Sequence, residues 1–410
     1  MSRNTFSDSK PSSSAQARRC VLVCVTSVVL SAPALAQNHR SAWMWSTSTH
    51  PFGAANVIGD PAKENELISY FDFWGFDRIY ASVGNTPTND PTSMARWNAS
   101  LDNAGMVSQI LFGLVPGSPT QVANLVQTKL IDFNDSRADP REHFDAVHLD
   151  VEPHASSTWQ NGSSAVKRDM LMDLRDTYIA ARAQLDNNGY PNVKIYADLP
   201  VWYDSASSIG WLDTNDRDQW FDDIAVPLDG ITLMAFERET RRRISEGVGW
   251  EVDNFNGEIR VGLNVNEVGP GDTFEDFDEM MAVAEDVELF YGTLITGIDF
   301  QPLITYTDLA PTPLSGDYNN DGTVNAADYT VWRDNLGSMT NLDADGDYSG
   351  IVDIPDYDKW KANFGATGGG SSALAAGGAI PEPASLLLCV AGLAVMVALP
   401  RSRPLSGPAA

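Results

Sequence analysis

The run Phe144-Asp145-Ala146-Val147-His148-Leu149-Asp150-Val151-Glu152-Pro153-His154 alternates two kinds of side chain. Successive residues of a strand point to opposite faces, so His148, Asp150 and Glu152 share one face while Val147, Leu149 and Val151 take the other. The apolar face suits packing against crossover helices, as in a parallel sheet. Three ionisable groups on the opposite face are costly to desolvate, and a reactive site is the reason to hold them there. The competing reading is a structural carboxylate network tied to Arg or backbone donors.

Working outward, short apolar runs recur at 42–45, 78–81, 107–112, 146–151, 193–197, 230–235, 259–263 and 297–300, with segments of helical length and period at 64–74, 120–133, 166–185 and 273–289. Eight strand-plus-helix units predict an α/β fold, a closed (β/α)8 TIM-like barrel over 37–310. An open doubly wound sheet is the alternative. No Gly-x-Gly-x-x-Gly follows the first strand, which disfavours nucleotide binding. In a barrel, chemistry sits where strands end and loops begin, and Glu152 stands nearest that mouth. Repulsion from Asp150 and partial desolvation should raise one carboxyl pKa, giving an acid able to protonate a leaving oxygen.

The 410 residues carry a formal charge of −28, which excludes the clustered cations that nucleic acid requires. Arg241-Arg242-Arg243 is a local exception, expected to be an exposed helix face paired with neighbouring acids. Cys20, Cys24 and Cys389 are the three cysteines, so the middle of the chain has no disulfide, thiolate metal site or cysteine nucleophile. Neither His-Glu-x-x-His nor Gly-x-Ser-x-Gly occurs. Aromatics do cluster at expected strand ends: Trp43 and Trp45 after the first, Trp202 and Tyr203 after Asp198-Leu199-Pro200 on the fifth. Their flat faces suit stacking on pyranose rings, with core packing as the alternative use.

Asp145, Asp150 and Glu152 resemble the Asp-x-x-Asp-x-Asp-x-Glu signature of family 18 glycoside hydrolases, the chitinase-like barrels, and Met234-Ala235-Phe236-Glu237 echoes that family's Met-x-Tyr-Asp. The resemblance implies a barrel with Glu152 as general acid and no cofactor. His148 replaces the middle Asp, and Phe236 replaces the Tyr that would hold an N-acetyl group, which argues against a true chitinase. Val151-Glu152-Pro153 also looks like the Asn-Glu-Pro acid motif of retaining barrel glycosidases, which makes Glu267, after strand seven, a possible nucleophile. Glu237 and Glu267 both stand as the second carboxylate. A separation of about 5 Å from Glu152 implies retention and roughly 7 to 9 Å inversion.

A 28-residue repeat follows: Asp317 to Gly337 returns as Asp345 to Gly365. Asp317, Asn319, Asp321, Thr323 (carbonyl), Asn325 and Asp328 occupy positions 1, 3, 5, 7, 9 and 12 of a calcium loop, with Gly322 at the sharp turn. The second copy offers Asp345, Asp347, Ser349, Ile351 (carbonyl), Asp353 and Asp356, and Ser349 in place of an acid weakens it. Each loop runs into one helix with Tyr and Trp. These residues resemble a type I dockerin over 316–366, which implies two bound calcium ions and a cohesin-bearing surface protein as partner, or a calcium-stabilised spacer.

The ends read as addresses. Arg18-Arg19, an apolar run over 20–30 and Ala34-Leu35-Ala36 predict a cleaved secretory signal over 1–36. A short Pro-containing linker spans 311–315 and a glycine-rich one 367–380. Pro381-Glu382-Pro383, an apolar run and Arg401 and Arg403 resemble a PEP-CTERM sorting signal over 381–404, which implies recognition by a membrane sorting protease. The expectation is an exported protein of the cell envelope or extracellular surface that hydrolyses polysaccharide or oligosaccharide. The alternative is an inactive barrel that binds glycan or serves as a structural surface module.

Overall fold

The alternation of 144–154 is one eighth of a closed sheet. The computed structural model describes residues 39–205 and 209–367. In it, β1 (Arg40–Met44), β2 (Phe76–Ala81), β3 (Val107–Leu114), β4 (Ala146–Val151), β5 (Lys194–Pro200), β6 (Gly230–Met234), β7 (Glu258–Asn264) and β8 (Gly297–Gln301) form a barrel in sequential order. Every neighbouring pair is parallel, and β1 closes on β8. Outside run the crossover helices α1 (Pro61–Trp74), α2 (Pro91–Asn103), α3 (Pro119–Leu125), α4 (Ser164–Asn187), α5 (Thr214–Ala225), α6 (Arg241–Asn254), α7 (Phe277–Tyr291) and α8 (Leu303–Leu309). This is a (β/α)8 barrel.

Local sequence sets the helix starts. Asp60, Asp90 and Ser118 each accept a first-turn backbone N–H, and each is followed by proline, whose missing N–H costs nothing there. The expected single helix over 120–133 differs: α3 passes into a π-helical turn, Val126–Ile131, before Asp132–Asp135. The wider turn brings Val126, Leu130 and Ile131 all to the core, which a 3.6-residue period does not. β5 also runs to Pro200, beyond its expected end at 197.

Outward side chains such as Ile79, Ile110, Val147, Leu149, Ile195, Leu233, Val261 and Ile298 join one core beneath the helices. Inward, Trp43, Tyr80 and Leu111 pack inside the barrel. Glycines make room for the indoles: a Cβ at Gly262 would lie 3.1 Å from Trp43 Cη2. Deeper still, Asp299 accepts hydrogen bonds from Arg260 Nε (2.6 Å), the Thr232 hydroxyl (2.7 Å), the Tyr80 hydroxyl (3.0 Å) and the Ser41 hydroxyl. Burial pushes this carboxyl up, but Arg260 and the hydroxyl donors outweigh it and hold its pKa below the ordinary value.

Beyond the barrel, two loop–helix repeats carry α9 (Ala326–Asn335) and α10 (Ile354–Asn363) around a small core of Tyr318, Trp332, Ala344 and Val352. They pair by a pseudo-two-fold. Trp332 Nε1 donates to the Asp353 carbonyl and Trp360 Nε1 to the Asn325 carbonyl, each at 2.7 Å. Gly337 N reaches Val352 O while Gly365 N reaches Val324 O, both at 2.8 Å. Among the described residues no helix is long and apolar enough to cross a membrane. The expected leader at 1–36, the stretch 368–380 and the tail at 381–404 lie outside the described residues.

Arg260→Met leaves Asp299 charged and buried without its cation, so urea unfolding should show a loss of about 3–5 kcal/mol. Replacing both, Arg260→Met with Asp299→Leu, is expected to cost less than the single change.

Candidate functional site

β4 and β5 place their inward residues side by side, with His148 paired to Tyr196. His148 is fully enclosed: Nε2 lies 2.7 Å from Asp198 Oδ1, Nδ1 lies 3.1 Å from Gln109 Oε1, and its ring stacks on Tyr80 with centroids 3.8 Å apart. Trp43 Nε1 donates to the other Asp198 oxygen at 2.8 Å. Burial drives the His148 pKa down to about 3 and lifts Asp198 well above the carboxylate range. Both directions disfavour a charged pair; in the neutral pair an Asp198 O–H would donate to Nε2, with Nδ1–H facing Gln109 Oε1.

Asp150 lies one step nearer the mouth. Burial first, then the charges of Asp198 and Glu152, raise its pKa well above the ordinary value. Its Oδ1 is buried without a hydrogen-bond partner. Trp45 lies over the facing Gly113, where a Cβ would fall 2.9 Å from Trp45 Cζ3 and 3.7 Å from Asp150 Oδ2. Glycine at 113 therefore keeps the half-buried indole beside the carboxyl.

Glu152 follows the last residue of β4 and is 29% exposed in its side chain, the outermost of the three ionisable groups on this strand face. Burial raises its pKa. His154 Nε2 stands 3.7 Å from Glu152 Oε1, and His154 Nδ1 lies 3.0 Å from the Tyr203 hydroxyl. Burial lowers His154 to about 4 and raises Tyr203 well above its usual value, so near neutrality the ring is uncharged and the phenol keeps its proton. Tyr203 then donates to Nδ1, which leaves Nε2–H turned toward Glu152. Trp202 meets His154 edge-on at 5.5 Å and neighbours Trp159 at 6.0 Å, forming an aromatic wall beside the acid.

The residues expected from sequence thus fall into two groups. Trp43, Trp45, His148, Asp150, Glu152, Asp198, Trp202 and Tyr203 gather where β1, β4 and β5 end. Trp43 and Tyr203 are 2% and 1% exposed, so their faces are closed to a stacked ligand and they serve as hydrogen-bond donors instead. Glu237 and Glu267 meet each other past β6 and β7. The Glu267 carboxylate accepts from Glu237 N (2.7 Å), Asn264 Nδ2 (2.8 Å) and Thr273 Oγ1 (2.9 Å), clasping the two loops together. Glu237 is exposed in a left-handed conformation with φ 60°, and Phe236 is half-buried. Asp145 stands at the opposite end of β4, accepting from Ser108 N at 2.8 Å, so it belongs to the scaffold. Arg241, Arg242 and Arg243 pair with Asp286, Glu246 and Glu239. Tyr80, Gln109, His154 and the buried Tyr178, whose hydroxyl has no partner, were not singled out from sequence. His154 lies two residues beyond Glu152 in the same alternation, and that was its one available signal.

The repeat loops are preorganised alike. Asp317 accepts from Asp321 N and Gly322 N at 3.1 and 2.8 Å, and Asp345 accepts from Ser349 N and Gly350 N at 3.0 and 2.7 Å. Asp328 and Asp356 each accept from the backbone of positions 3 and 9 of their own loops. Oxygens of Asp345, Asp347 and Asp356 lie within 4.8 Å of one another, a donor set that fits a hard cation. Thr323 and Ile351 supply carbonyls at position 7; in this structure the first accepts from Asn325 Nδ2 and the second from Ser349 Oγ.

No family model matches the chain, and no curated protein matches it. Among solved structures, the chain is similar to a family 18 chitinase from Pseudoalteromonas aurantia, at 14% identity over 69% of this chain and 97% of that one, TM-score 0.43. It is similar to the catalytic domain of a beta-amylase from Paenibacillus polymyxa, at 10% identity over 68% and 96%, TM-score 0.41. It is also similar to a plant class V chitinase mutant from Cycas revoluta, in complex with (GlcNAc)3, at 12% identity over 66% and 96%, TM-score 0.38. Likenesses this distant assign no activity to the chain.

Proposed function

We propose that the barrel hydrolyses glycosidic bonds, with Glu152 as the proton donor. The observation that carries this reading is the set of three carboxyl groups, Asp150, Glu152 and Asp198, at the ends of two adjacent strands, each raised in pKa first by burial. A carboxyl that stays protonated nearer neutrality is what protonation of a leaving sugar oxygen requires. Glu152 is the member of the set with solvent access, and Trp45 and Trp202 flank it as half-buried surfaces for a sugar ring. The Asp198–His148–Gln109 chain fixes the floor, and the uncharged His154 offers Glu152 a hydrogen bond once it has given up its proton. Glu267 is the held carboxylate on the far side, a candidate base or nucleophile.

A binding-only barrel is the second reading. It is favoured by the complete engagement of Glu267 in the loop clasp and by Phe236 and His148 at positions where the resembled family places a Tyr and an Asp. Either way, the barrel's strong acidity favours neutral glycans over polyanionic ones.

The repeat unit is proposed as a dockerin-like module holding two calcium ions, bound by Asp317, Asn319, Asp321, Asn325, Asp328 and the Thr323 carbonyl in one loop and by the matching set around Asp345 in the other. Bound calcium would supply the positive charge that lets these carboxylates stay close together. Export, a cohesin-bearing partner and sorting to the cell surface complete the proposal and rest on the sequence resemblances.

Glu152→Gln should lower hydrolysis of a responsive glycan by about 10²-fold or more, in the range of a lost general acid, without lowering the melting temperature. Reducing-sugar release at the wild-type rate would remove Glu152 from the mechanism. In the wild type, kcat/KM should fall as pH rises through the raised Glu152 pKa, because the proton to be donated is lost there. In Trp202→Ala, weaker glycan binding is expected, by a factor of about 5–100 if a full stacking surface is lost, as read by calorimetry. Chelating calcium should change the fluorescence of Trp332 and Trp360, and restoring calcium should reverse it.

A further inference from the structure

The pseudo-two-fold of the repeat unit makes its two loops equivalent by themselves, yet their surroundings differ. In the first loop Asn319, Asn320, Asp321 and Gly322 are exposed. At the matching positions of the second, Asp347, Tyr348 and Gly350 are half-covered and Ser349 is exposed. At Tyr348 the barrel contributes to the cover. Asn65 of α1 donates through Nδ2 to the carbonyl oxygen of Tyr348 at 2.5 Å. Lys359 Nζ of the repeat unit lies 5.5 Å over the Tyr348 ring. The helix that presents Asn65 is itself anchored, since buried Glu64 holds Arg96 of α2 through two hydrogen bonds of 2.8 and 2.9 Å. Between barrel and repeats lies a cavity of about 1110 Å³, lined by Ile68, Asp72 and Phe73 on one side and Leu314, Val331 and Leu342 on the other.

We propose that the repeat unit docks onto its own barrel through the second loop, and that calcium in that loop is the latch. This rests on the calcium reading above. Tyr348 sits between Asp347 and Ser349 in the left-handed region, φ 60°, so the direction of its carbonyl is set by the same turn that converges the Asp345, Asp347 and Asp356 carboxylates. Without a cation those three groups repel, and spreading of the turn carries the carbonyl away from Asn65. The equivalent Asn320, φ 55°, makes the same turn in solvent. Opposing the docking, Asp72 and Asp343 repel across the seam; burial and then the Asp343 charge raise the Asp72 pKa.

Limited proteolysis of the full chain, following cleavage within 311–315, tests the latch, with terbium luminescence in parallel to report loop occupancy. Calcium is expected to slow cleavage of the wild type. Asn65→Ala, which leaves both loops intact, should restore about 2–10-fold of the cleavage rate, the factor for one lost hydrogen bond, with terbium binding unchanged. Asp345→Ala should abolish the protection, and Asp317→Ala should keep it while one terbium site disappears. Two terbium sites with cleavage indifferent to calcium and to Asn65→Ala would overturn the docking alone. Equal loss of protection in Asp317→Ala and Asp345→Ala would also overturn it. No terbium binding at either loop would overturn the calcium reading and the latch with it.

Discussion

Closing eight parallel strands turns every second side chain into the barrel, and in this chain much of that inward set is polar. Asp299, Arg260, His148, Asp198 and Asp150 all sit where water is scarce, so each must find a partner or shift its protonation. At the bottom the solution is a charge pair: Arg260 and three hydroxyl donors keep Asp299 ionised. Nearer the top the solution is neutralisation: Asp198, beside His148, is driven toward its neutral form, and Asp150 is driven the same way. The barrel thereby changes from a salt-bridged floor to a layer of acids pushed toward their neutral form beneath the mouth.

That gradient bears on chemistry. An ionised Asp198 or Asp150 would repel Glu152, and among the described residues no Lys or Arg forms an ion pair with either. With both driven toward the neutral form, Glu152 is the group left to exchange its proton with solvent and ligand. The ring of His154 is fixed by Tyr203 rather than by a charge, so it can assist Glu152 without competing for the proton. The same economy explains Gly113 and Gly262, which give up side chains so that Trp45 and Trp43 fit against the polar residues.

The strands were legible in the sequence because burial of both faces leaves a run of Val, Ile and Leu, and because 146–151 shows the inward acids in strict alternation. The loop–helix repeat was legible for a related reason: its 28-residue spacing recurs, and the backbone turn at Tyr348 matches that at Asn320. What the sequence did not disclose is which acids meet. Asp198 touches His148 across 50 positions of sequence, through strand register rather than through any local pattern. Glu267 looked free to react, yet it ties Glu237, Asn264 and Thr273 together, a three-way contact between two loops. Trp43 reads as a surface for sugar by its place at a strand end, but the close packing of the interior turns it into a donor for Asp198.

The central claim is that Glu152 stands at the cleavage point of a bound glycan. A crystal structure of Glu152→Gln with an oligosaccharide that the wild type cleaves tests this most directly. The expected pose puts a glycosidic oxygen within hydrogen-bonding distance of the residue-152 side chain, with sugar rings against Trp45 or Trp202. An oligosaccharide seated elsewhere on the barrel, with the mouth between β4 and β5 empty, would contradict it.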